Sequence, residues 1–474
     1  MTGSDDAEAE FLRKFEAAIS GMELSDLRQL AGDLTGIGRK AALQRMRPEL
    51  RRPPLDEVST YRIRVDLDRA DPPIWRRLDL RSDLKLDAVH QVLQVAFDWT
   101  DSHLHRFSLG GHAFDRTSQL FLCPYDAEEG EDAEEDGTPA TDVRLDETLR
   151  EPGDVLAYLY DYGDNWELTL RLEEVLPASP DSPSAVAVGG RRTAPPEDSG
   201  GGTDLDSIAM VVDDPARFDL DELNQALRGP YFILREHGVD LRLVDLVNFL
   251  GHTTVGEDFV QRMLLLVTEP TQPEREEMIA ALGAHRWFLS RAKGGGIELT
   301  SAGYLKPADV EAAAEIVPAM CDWIGKINRE TNAAPLLGFR RSLQSMGLLR
   351  KHKGTLQLTR AGAAAERDPQ KLWSHLAARL VPNKGGEFES VATLLMLAYA
   401  GSSPGTVLPR KLVAAALSDL GWRHPDGSPL EGYELYRLAV LDTLINVTDK
   451  RVSLGGRGWV SPAAAALARA ALRR

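Results

Sequence analysis

The chain has 474 residues, with 73 acidic and 55 basic side chains, a formal net charge of −18 and two cysteines, Cys123 and Cys321. The cysteine count excludes a disulfide framework and a cysteine-based zinc motif, and the length suggests about three domains of ordinary size. No stretch approaches the ~18 consecutive apolar residues of a membrane-spanning helix, and the acidic start MTGSDDAEAE is unlike a secretory signal. We therefore expect a cytoplasmic protein without membrane contact.

Charge is divided unevenly along the chain. Residues 1–228 hold 48 acidic and 25 basic side chains, a net charge of −23, whereas residues 229–474 hold 25 and 30, a net charge of +5. The first part would repel a phosphate backbone, and the second part could tolerate one. We therefore expect any DNA or protein partner to bind through residues 229–474.

The first segment, residues 1–58, combines a helical region with a linker. Two short amphipathic helices are predicted within residues 8–46, because apolar side chains recur there at helical spacing. The stretch RPELRRPPLDEV at residues 47–58 is rich in proline and charge, which is typical of a linker.

The central segment, residues 59–228, is predicted to be an α+β domain with a mixed sheet and a packed helix. Ile63 and Val65 alternate with charged residues, as in a half-buried strand. From Leu86 to Phe97 the apolar period becomes that of a helix, with Asp83 as its expected N-cap. Residues 126–140 contain the acidic run DAEEGEDAEED, which predicts a disordered surface loop.

The stretch YLYDYGDNW at residues 158–166 predicts a β-hairpin. An apolar run enters it, Gly163-Asp164-Asn165 has turn chemistry, and the return strand alternates from Trp166 onward. Asp161 and Asp164 crowd the tip beside Tyr160 and Trp166. A solvated tip over packed aromatic rings explains this pattern, and so does a recognition or metal site.

Several motifs in this segment, taken in order, resemble the plasmid pRiA4b ORF-3-like family. They are PPIWRR at residues 72–77, WTDSHLHRF at 99–107, YDYGDNW at 160–166, PPED at 195–198 and FD at 218–219. The resemblance covers residues 59–228, and the resolvase-like label of one family member implies a link to mobile elements without implying an activity. The chain departs from the family at Ala194, where cysteine is usual, and at Thr203-Asp204, where Gly-Tyr is usual.

A histidine pair is the main candidate for chemistry. His103 and His105 lie two residues apart, so on a strand they would share one face. With Asp101 and with His90 from the preceding helix, they make a plausible zinc or iron set. In the structural alternative, His105 faces solvent and His103 donates a hydrogen bond to a loop carbonyl.

For two other pairs of polar residues, a functional and a structural interpretation are both open. Arg76 and Arg77 could bind an anion with their guanidinium groups, or pair with the abundant carboxylates. Glu197-Asp198 could provide acid–base chemistry, or simply end a proline-rich loop with an exposed acidic pair. The ligand-binding candidates are Trp99, Asp101, His103, His105, Tyr160, Asp161, Asp164, Trp166, Arg76 and Arg77, with His103 and His105 as the metal candidates.

The remaining chain is predicted to be mainly helical, with winged-helix-like modules in residues 229–384 and another in residues 385–474. The prediction depends on an internal echo, ELTSAG at residues 298–303 and QLTRAG at 357–362, whose 59-residue separation fits one small module each. A helix at residues 335–346 precedes a hairpin with His352-Lys353-Gly354 at its tip. The nucleic-acid candidates are Arg340, Arg341, Arg350, Lys351 and Lys353. Such modules also mediate protein contacts or serve as scaffolds.

The chain has no G-x-S-x-G, P-loop or H-E-x-x-H motif, so no catalytic signature identifies a reaction. Two functional hypotheses remain. The first is a non-enzymatic binding or regulatory protein, whose central domain recognises a ligand and whose second half binds DNA or protein. The alternative is a metal-dependent enzyme or metalloprotein with its site at His103/His105 and Asp161/Asp164. The sequence specifies neither a cofactor nor an oligomeric state.

Overall fold

The computed structural model describes residues 47–128, 137–179, 182–251, 253, 255–382, 387–449 and 458–473. The chain forms two compact units that divide between Leu227 and Arg228, next to the boundary predicted at residue 228. The helices predicted within residues 8–46 and the acidic residues 129–136 lie outside the described residues. Across the described part of the chain, no helix combines the length and apolar character needed to cross a bilayer.

The first unit is built on one eight-stranded mixed sheet, as the α+β prediction requires. Its strands are β1 (Ser59–Leu67), β2 (Trp75–Arg81), β3 (His105–Leu109), β4 (Gln119–Leu122), β5 (Thr138–Pro139), β6 (Val155–Tyr160), β7 (Trp166–Pro177) and β8 (Ala185–Arg191). They lie in the order β5-β4-β3-β6-β7-β1-β2-β8, and all neighbours are antiparallel except β4 and β5. The predicted hairpin is confirmed, since Tyr160 of β6 pairs with Trp166 of β7.

One long helix covers the sheet near its middle. The helices of this unit are α1 (Leu86–Phe97), α2 (Pro124–Glu128), α3 (Leu145–Thr148), α4 (Leu205–Val211) and α5 (Leu220–Ala226). Helix α1 buries Val89, Leu93 and Phe97 on the predicted face. Its N-cap is Lys85 rather than the predicted Asp83, because the Asp83 carboxylate accepts hydrogen bonds from the Arg81 guanidinium at 2.8 and 3.0 Å.

Two predicted loops are more ordered than expected. The disordered loop predicted at residues 126–140 has regular structure at both ends, since α2 extends to Glu128 and β5 begins at Thr138. Asp126 also accepts a hydrogen bond from the Tyr162 hydroxyl at 2.6 Å. The predicted linker at residues 47–58 lies along the first unit. There the amides of Leu50 and Arg51 donate to Gln119 Oε1 at 2.7 and 3.0 Å. Backbone hydrogen bonds to distant side chains thus override the loop-like composition.

The second unit is mainly helical and has one continuous core. Its helices are α6 (Pro230–Glu236), α7 (Leu241–Leu250), α8 (Gly256–Thr268), α9 (Arg275–Ala281), α10 (Gly283–Arg291), α11 (Pro307–Ile316), α12 (Ala334–Ser345), α13 (Arg360–Arg367), α14 (Pro369–Leu380), α15 (Glu387–Gly401), α16 (Arg410–Asp419), α17 (Ala439–Leu444) and α18 (Pro462–Leu472). One apolar cluster runs from Leu234 to Leu472, and both α14 and α15 pack against α18. The boundary predicted at residue 385 therefore does not separate two cores.

A small sheet brings the two echoed segments together. Its strands are β9 (Ile297–Glu298), β10 (Leu349–His352) and β11 (Thr355–Leu358), in the order β10-β11-β9. The first echo begins at the end of β9, and the second begins at the end of β11 and continues into α13; Thr355, two residues before the second echo, lies opposite Glu298. Because a strand of two residues needs a partner to persist, the strands at which the two echoes begin belong to one sheet and not to one module each.

A buried ion pair holds α12 in place. Arg340 is 1% exposed and donates to Glu330 Oε1 and Oε2 at 2.7 and 3.1 Å. Glu330 Oε2 also accepts from the Leu305 amide at 2.8 Å, so the pair joins α12 to the chain that follows β9. Arg340 is therefore removed from the predicted nucleic-acid surface, whereas its neighbour Arg341 is exposed.

Replacing Arg340 with Met should lower the free energy of unfolding by about 3–5 kcal/mol, because Glu330 would keep an uncompensated buried charge. The matched control Arg341→Met, on the exposed side of the same helix, should change it by less than about 0.5 kcal/mol. Combining Arg340→Met with Glu330→Gln should recover part of the loss, since the amide oxygen still accepts from Leu305. Urea unfolding followed by circular dichroism measures all three, and equal effects of both Met variants would contradict the structural role.

His285 is a second buried polar group of this unit. Its ring lies edge-on to Phe339, with 4.8 Å between ring centroids, and neither ring nitrogen has a hydrogen-bond partner among the described residues. Burial lowers the pKa of His285 from 6.5 to about 3. Below pH 6.5 the unfolded chain binds a proton at His285, whereas the folded chain does not bind it until the pH approaches 3. The free energy of unfolding is therefore highest above pH 6.5 and decreases as the pH falls from 6.5 towards 3.

Between pH 7 and pH 5, the wild-type second unit should lose about 2 kcal/mol more stability than a His285→Phe variant. The variant has no ring nitrogen to protonate on unfolding, so the difference isolates this one proton. Urea titrations at both pH values provide the measurement, with His352→Phe, an exposed histidine, as control. The same pH dependence in wild type and His285→Phe would rule out the assignment.

Candidate functional site

Three loops of the first unit converge at one end of the sheet. They are residues 98–104 between α1 and β3, residues 161–165 between β6 and β7, and residues 195–201 after β8. Trp99 Nε1 donates to the Pro195 carbonyl at 3.0 Å, and the Gly200 amide donates to Asp164 Oδ2 at 2.9 Å. Three of the motifs that carried the family resemblance, WTDSHLHRF, YDYGDNW and PPED, are thus neighbours in space.

The hairpin turn aims one carboxylate oxygen into this convergence. Asp161 and Asn165 adopt left-handed backbone angles, with φ of 55° and 63°, and the Asn165 amide donates to the Asp161 carbonyl at 2.7 Å. Asp161 Oδ1 accepts from the amides of Gly163 and Asp164 at 2.9 and 3.3 Å. Oδ2 remains directed towards His103, 3.6 Å from its Nε2.

His103, Asp161 and Asp198 form what we call the outer group. His103 Nε2 lies 3.2 Å from Asp198 Oδ1 in addition to its approach to Asp161. Neither approach has hydrogen-bond geometry, so this buried nitrogen has no hydrogen-bond partner in the described structure. The Asp161 side chain is 8% exposed and that of Asp198 78% exposed. The group therefore has one buried carboxylate and one side open to solvent.

Glu197 holds two of the loops together. Its carboxylate accepts from the Thr100 amide and the Ser102 hydroxyl, each at 2.9 Å, and from the hydroxyls of Thr100 and Tyr160. Although burial acts to raise it, the hydrogen bonds from Thr100, Tyr160 and Ser102 hold the pKa of Glu197 below its usual value. Because four donors occupy its oxygens, Glu197 positions the neighbouring Asp198 and is not a free acid–base group.

His90, Asp101 and His105 form a separate inner group. His90 Nε2 lies 2.8 Å from Asp101 Oδ1, and His90 Nδ1 lies 2.8 Å from the Tyr158 hydroxyl. The rings of His90 and His105 are stacked, 3.5 Å apart and 9° from parallel. Burial, with a smaller contribution from His90, lowers the pKa of His105 well below its ordinary value. His105 is therefore neutral at pH 7, and its buried Nε2 has no hydrogen-bond partner among the described residues.

The structure corrects the prediction that His103 and His105 act together. Strand β3 begins only at His105, whereas His103 lies at a bend in the loop before it, so the two side chains do not share one face of a strand. His103 consequently joins the outer group and His105 the inner group. His105 is 5% exposed, which also excludes the solvent-facing alternative.

The predicted aromatic candidates form the floor of the site. The Trp99 ring stacks on Tyr160 and Trp166, with centroids 5.1 and 6.2 Å apart. Trp99 and Trp166 are 6% and 1% exposed. Burial and the hydrogen bond to Glu197 raise the pKa of Tyr160 well above its ordinary value, so its hydroxyl remains a donor. These rings support the loops and offer no exposed stacking surface.

The two predicted anion-binding arginines bind groups of their own domain. Arg76 is 5% exposed and donates to the Ala96 carbonyl at 2.6 Å, between the rings of Phe97 and Phe218. Burial lowers its pKa to about 10, so it remains cationic. Arg77 donates to Glu173 at 2.6 and 3.0 Å. This is the carboxylate pairing that the sequence offered as the alternative.

Two functional contacts escaped the sequence analysis. Thr100 and Ser102 are the donors that bind Glu197, and Asp198 is the residue that faces His103. The sequence feature that could have indicated these contacts is the density of hydroxyl and carboxylate groups in TDSH at residues 100–103 and in PPED. Nothing local in either run indicates that the two loops touch.

Replacing Glu197 with Gln should loosen residues 99–104, because one amide oxygen cannot accept from four donors. Hydrogen bonds to a charged group contribute about 1.5–3 kcal/mol, so we expect amide hydrogen exchange in this loop to accelerate about tenfold or more. The neighbouring Asp198→Asn is the matched control and should leave exchange unchanged, since its side chain is 78% exposed. Similar exchange in both variants would refute the positioning role.

Comparison with known proteins extends the motif resemblance. A family model described as plasmid pRiA4b ORF-3-like protein matches residues 59–237. The chain is 32% identical over 164 residues to the uncharacterized protein y4hQ of Sinorhizobium fredii, an alignment that covers 34% of this chain and 76% of that protein. A crystal structure of the protein of unknown function MM3350 from Methanosarcina mazei Go1 is 26% identical, covering 35% of this chain and 97% of that chain, with a TM-score of 0.29. Through its central domain, the chain belongs to the plasmid pRiA4b ORF-3-like protein family.

Proposed function

We propose that the central domain binds a divalent transition-metal ion through the outer group, His103, Asp161 and Asp198. The observation that carries the proposal is that ligand atoms from three loops lie within 4.8 Å of one another, around a buried imidazole nitrogen without a hydrogen-bond partner in the described structure. Ligands bonded to one zinc ion at about 2.0–2.2 Å stand about 3–3.6 Å apart. The separations of 3.2 and 3.6 Å from His103 agree with that spacing.

The donor types limit which ion would bind. One imidazole and two carboxylates suit Zn²⁺, Mn²⁺ or Fe²⁺, whereas calcium takes six or more oxygen ligands. Three protein ligands with one side open to solvent leave a position for water or a substrate oxygen. A divalent ion bound there would lower the pKa of a coordinated water molecule. The proposal therefore favours the metalloprotein hypothesis for residues 59–228.

The inner group is a weaker candidate for the same ion. The stacked rings of His90 and His105 lie nearly parallel, so an ion between them would lie outside both ring planes, away from the nitrogen lone pairs. Both nitrogens of His90 also have partners already. We assign the inner group a supporting role, because Gln91 donates to Asp101 at 2.6 Å and thereby fixes the loop that carries His103.

We also propose that residues 283–358 form one winged-helix unit. Helix α10, strand β9, helices α11 and α12 and the β10–β11 hairpin follow one another, and β9 pairs with β11. The sequence predicted a helix at residues 335–346, a turn and a hairpin, and α12, β10 and β11 follow one another in that order. The shared sheet supports one such unit in place of the two predicted before residue 384.

Titrating the metal-free full-length protein with Zn²⁺ and with Mn²⁺ tests the metal proposal. Calorimetry, with bound metal counted by mass spectrometry after desalting, should give one tight ion per chain for at least one of these metals. His103→Ala and Asp161→Asn should each weaken binding by more than the 10–100-fold typical of an outer-shell partner. His112→Ala, an exposed histidine outside both groups, should bind like wild type.

Two outcomes would overturn the metal proposal. Wild-type protein that retains neither metal would exclude it. Loss of metal binding in His105→Gln, but not in His103→Ala, would show that the metal ion binds to the inner group instead of the outer group. Circular dichroism of every variant separates loss of a ligand from loss of the fold.

A further inference from the structure

A tight hairpin in the second unit carries a row of exposed cations. Strands β10 and β11 are joined by Lys353 and Gly354, whose φ angles of 46° and 76° suit a two-residue turn. Arg350, Lys351, His352 and Lys353 are all exposed. Because side chains alternate along a strand, Arg350 and His352 lie on one face of β10 and Lys351 on the other, with Lys353 at the turn between the strands.

These cations are distinguished by their grouping, because three basic side chains and a histidine lie within four consecutive exposed residues of one hairpin. Within the described residues, Arg341, Arg350, Lys351 and Lys353 form no ion pair. Other cations of the same unit do pair with a carboxylate, namely Arg242, Arg262, Arg291, Lys293, Lys306 and Arg340. Partial burial, Arg340 and Arg341 lower the pKa of Lys351 while the Glu330 carboxylate acts to raise it, so Lys351 lies near the charged residues of α12. Like charges held together in this way favour an anionic partner.

We infer that the β10–β11 hairpin and Arg341 bind the phosphate backbone of double-stranded nucleic acid without reading its base sequence. The inference is independent of the metal proposal, since it concerns the other unit. It assigns no base-reading role to α12, which carries the candidates Arg340 and Arg341, because α12 is only partly accessible.

Helix α17 packs along the flank of α12. A Cβ atom at Gly338 of α12 would lie 2.6 Å from Asp442 Oδ1 of α17, so the two helices are in close contact. A recognition helix reads base edges with several side chains that enter the major groove, and in α12 only Ala334, Arg341 and Ser345 are exposed. Helix α12 therefore offers few side chains to base edges, whereas the hairpin cations are exposed. Contacts to phosphates position a protein without specifying sequence.

The chemistry of the hairpin favours a nucleic acid over an acidic protein. The core of a protein interface is apolar and often aromatic. No large apolar side chain is exposed among the described residues 341–360. The net charge of −23 on residues 1–228 opposes binding at a distance, so the affinity should be modest. The phosphate contacts of the hairpin should make the affinity fall as salt is raised.

Fluorescence anisotropy of the full-length protein with two labelled 24-base-pair DNA duplexes of unrelated sequence tests the inference. Both duplexes should bind with affinities within about threefold of each other, because phosphate contacts carry no sequence information. Raising salt from 50 to 200 mM should weaken binding about 40–150-fold, as expected for three or four phosphate contacts. Measurements in EDTA keep the result independent of any bound metal.

The decisive variant is Arg350→Glu/Lys351→Glu/Lys353→Glu, which should weaken binding at least about 40-fold and reduce the salt slope by about three. Arg275→Glu/Lys371→Glu/Arg423→Glu makes the same change in net charge at exposed positions outside the hairpin, and should bind nearly like wild type. Equal losses in both triple variants would overturn the inference. So would a preference above tenfold for one duplex, or binding to a polyglutamate peptide with none to DNA.

Discussion

The Glu197 carboxylate is the contact on which the arrangement of the site depends. It accepts from Thr100 and Ser102 in one loop and from Tyr160 at the end of β6. The next residue is Asp198, and its approach to His103 exists only while the two loops remain joined. Because one ionised group satisfies four donors, the join is stronger than the same number of hydrogen bonds between neutral groups. A metal site built from three loops needs such a support, since loops are otherwise mobile.

Beneath these loops, the inner group turns a patch of the sheet into a polar network. Tyr158 of β6 contacts both His90 and Gln94 of α1, at 2.8 and 3.0 Å. The Asp101 amide in turn donates to Gln94 Oε1 at 3.0 Å. Buried polar groups that satisfy one another specify a single arrangement of helix, strand and loop. The network therefore determines where residues 98–104 leave the helix, and with them where His103 lies.

In the second unit, neighbouring arginines have different roles, one in a buried ion pair and one on the surface. Arg340 and Arg341 are neighbours on α12, yet a step of about 100° per residue turns one towards Glu330 and the other outward. The buried pair holds α12 against the chain that follows β9, and the exposed arginine joins the hairpin cations. This division explains why residues 229–474, with a modest net charge of +5, can still present a local cationic surface.

The sequence by itself determined the features that depend on neighbours along the chain. The β6–β7 hairpin, helix α1, the α+β class and the family all followed from local periodicity, turn chemistry and ordered motifs. Only the tertiary structure decided that His103 and His105 belong to different groups, that Arg340 is buried, and that β9 pairs with β11. Each of these depends on contacts between residues far apart in sequence, and a local pattern carries no information about which distant partner will be present.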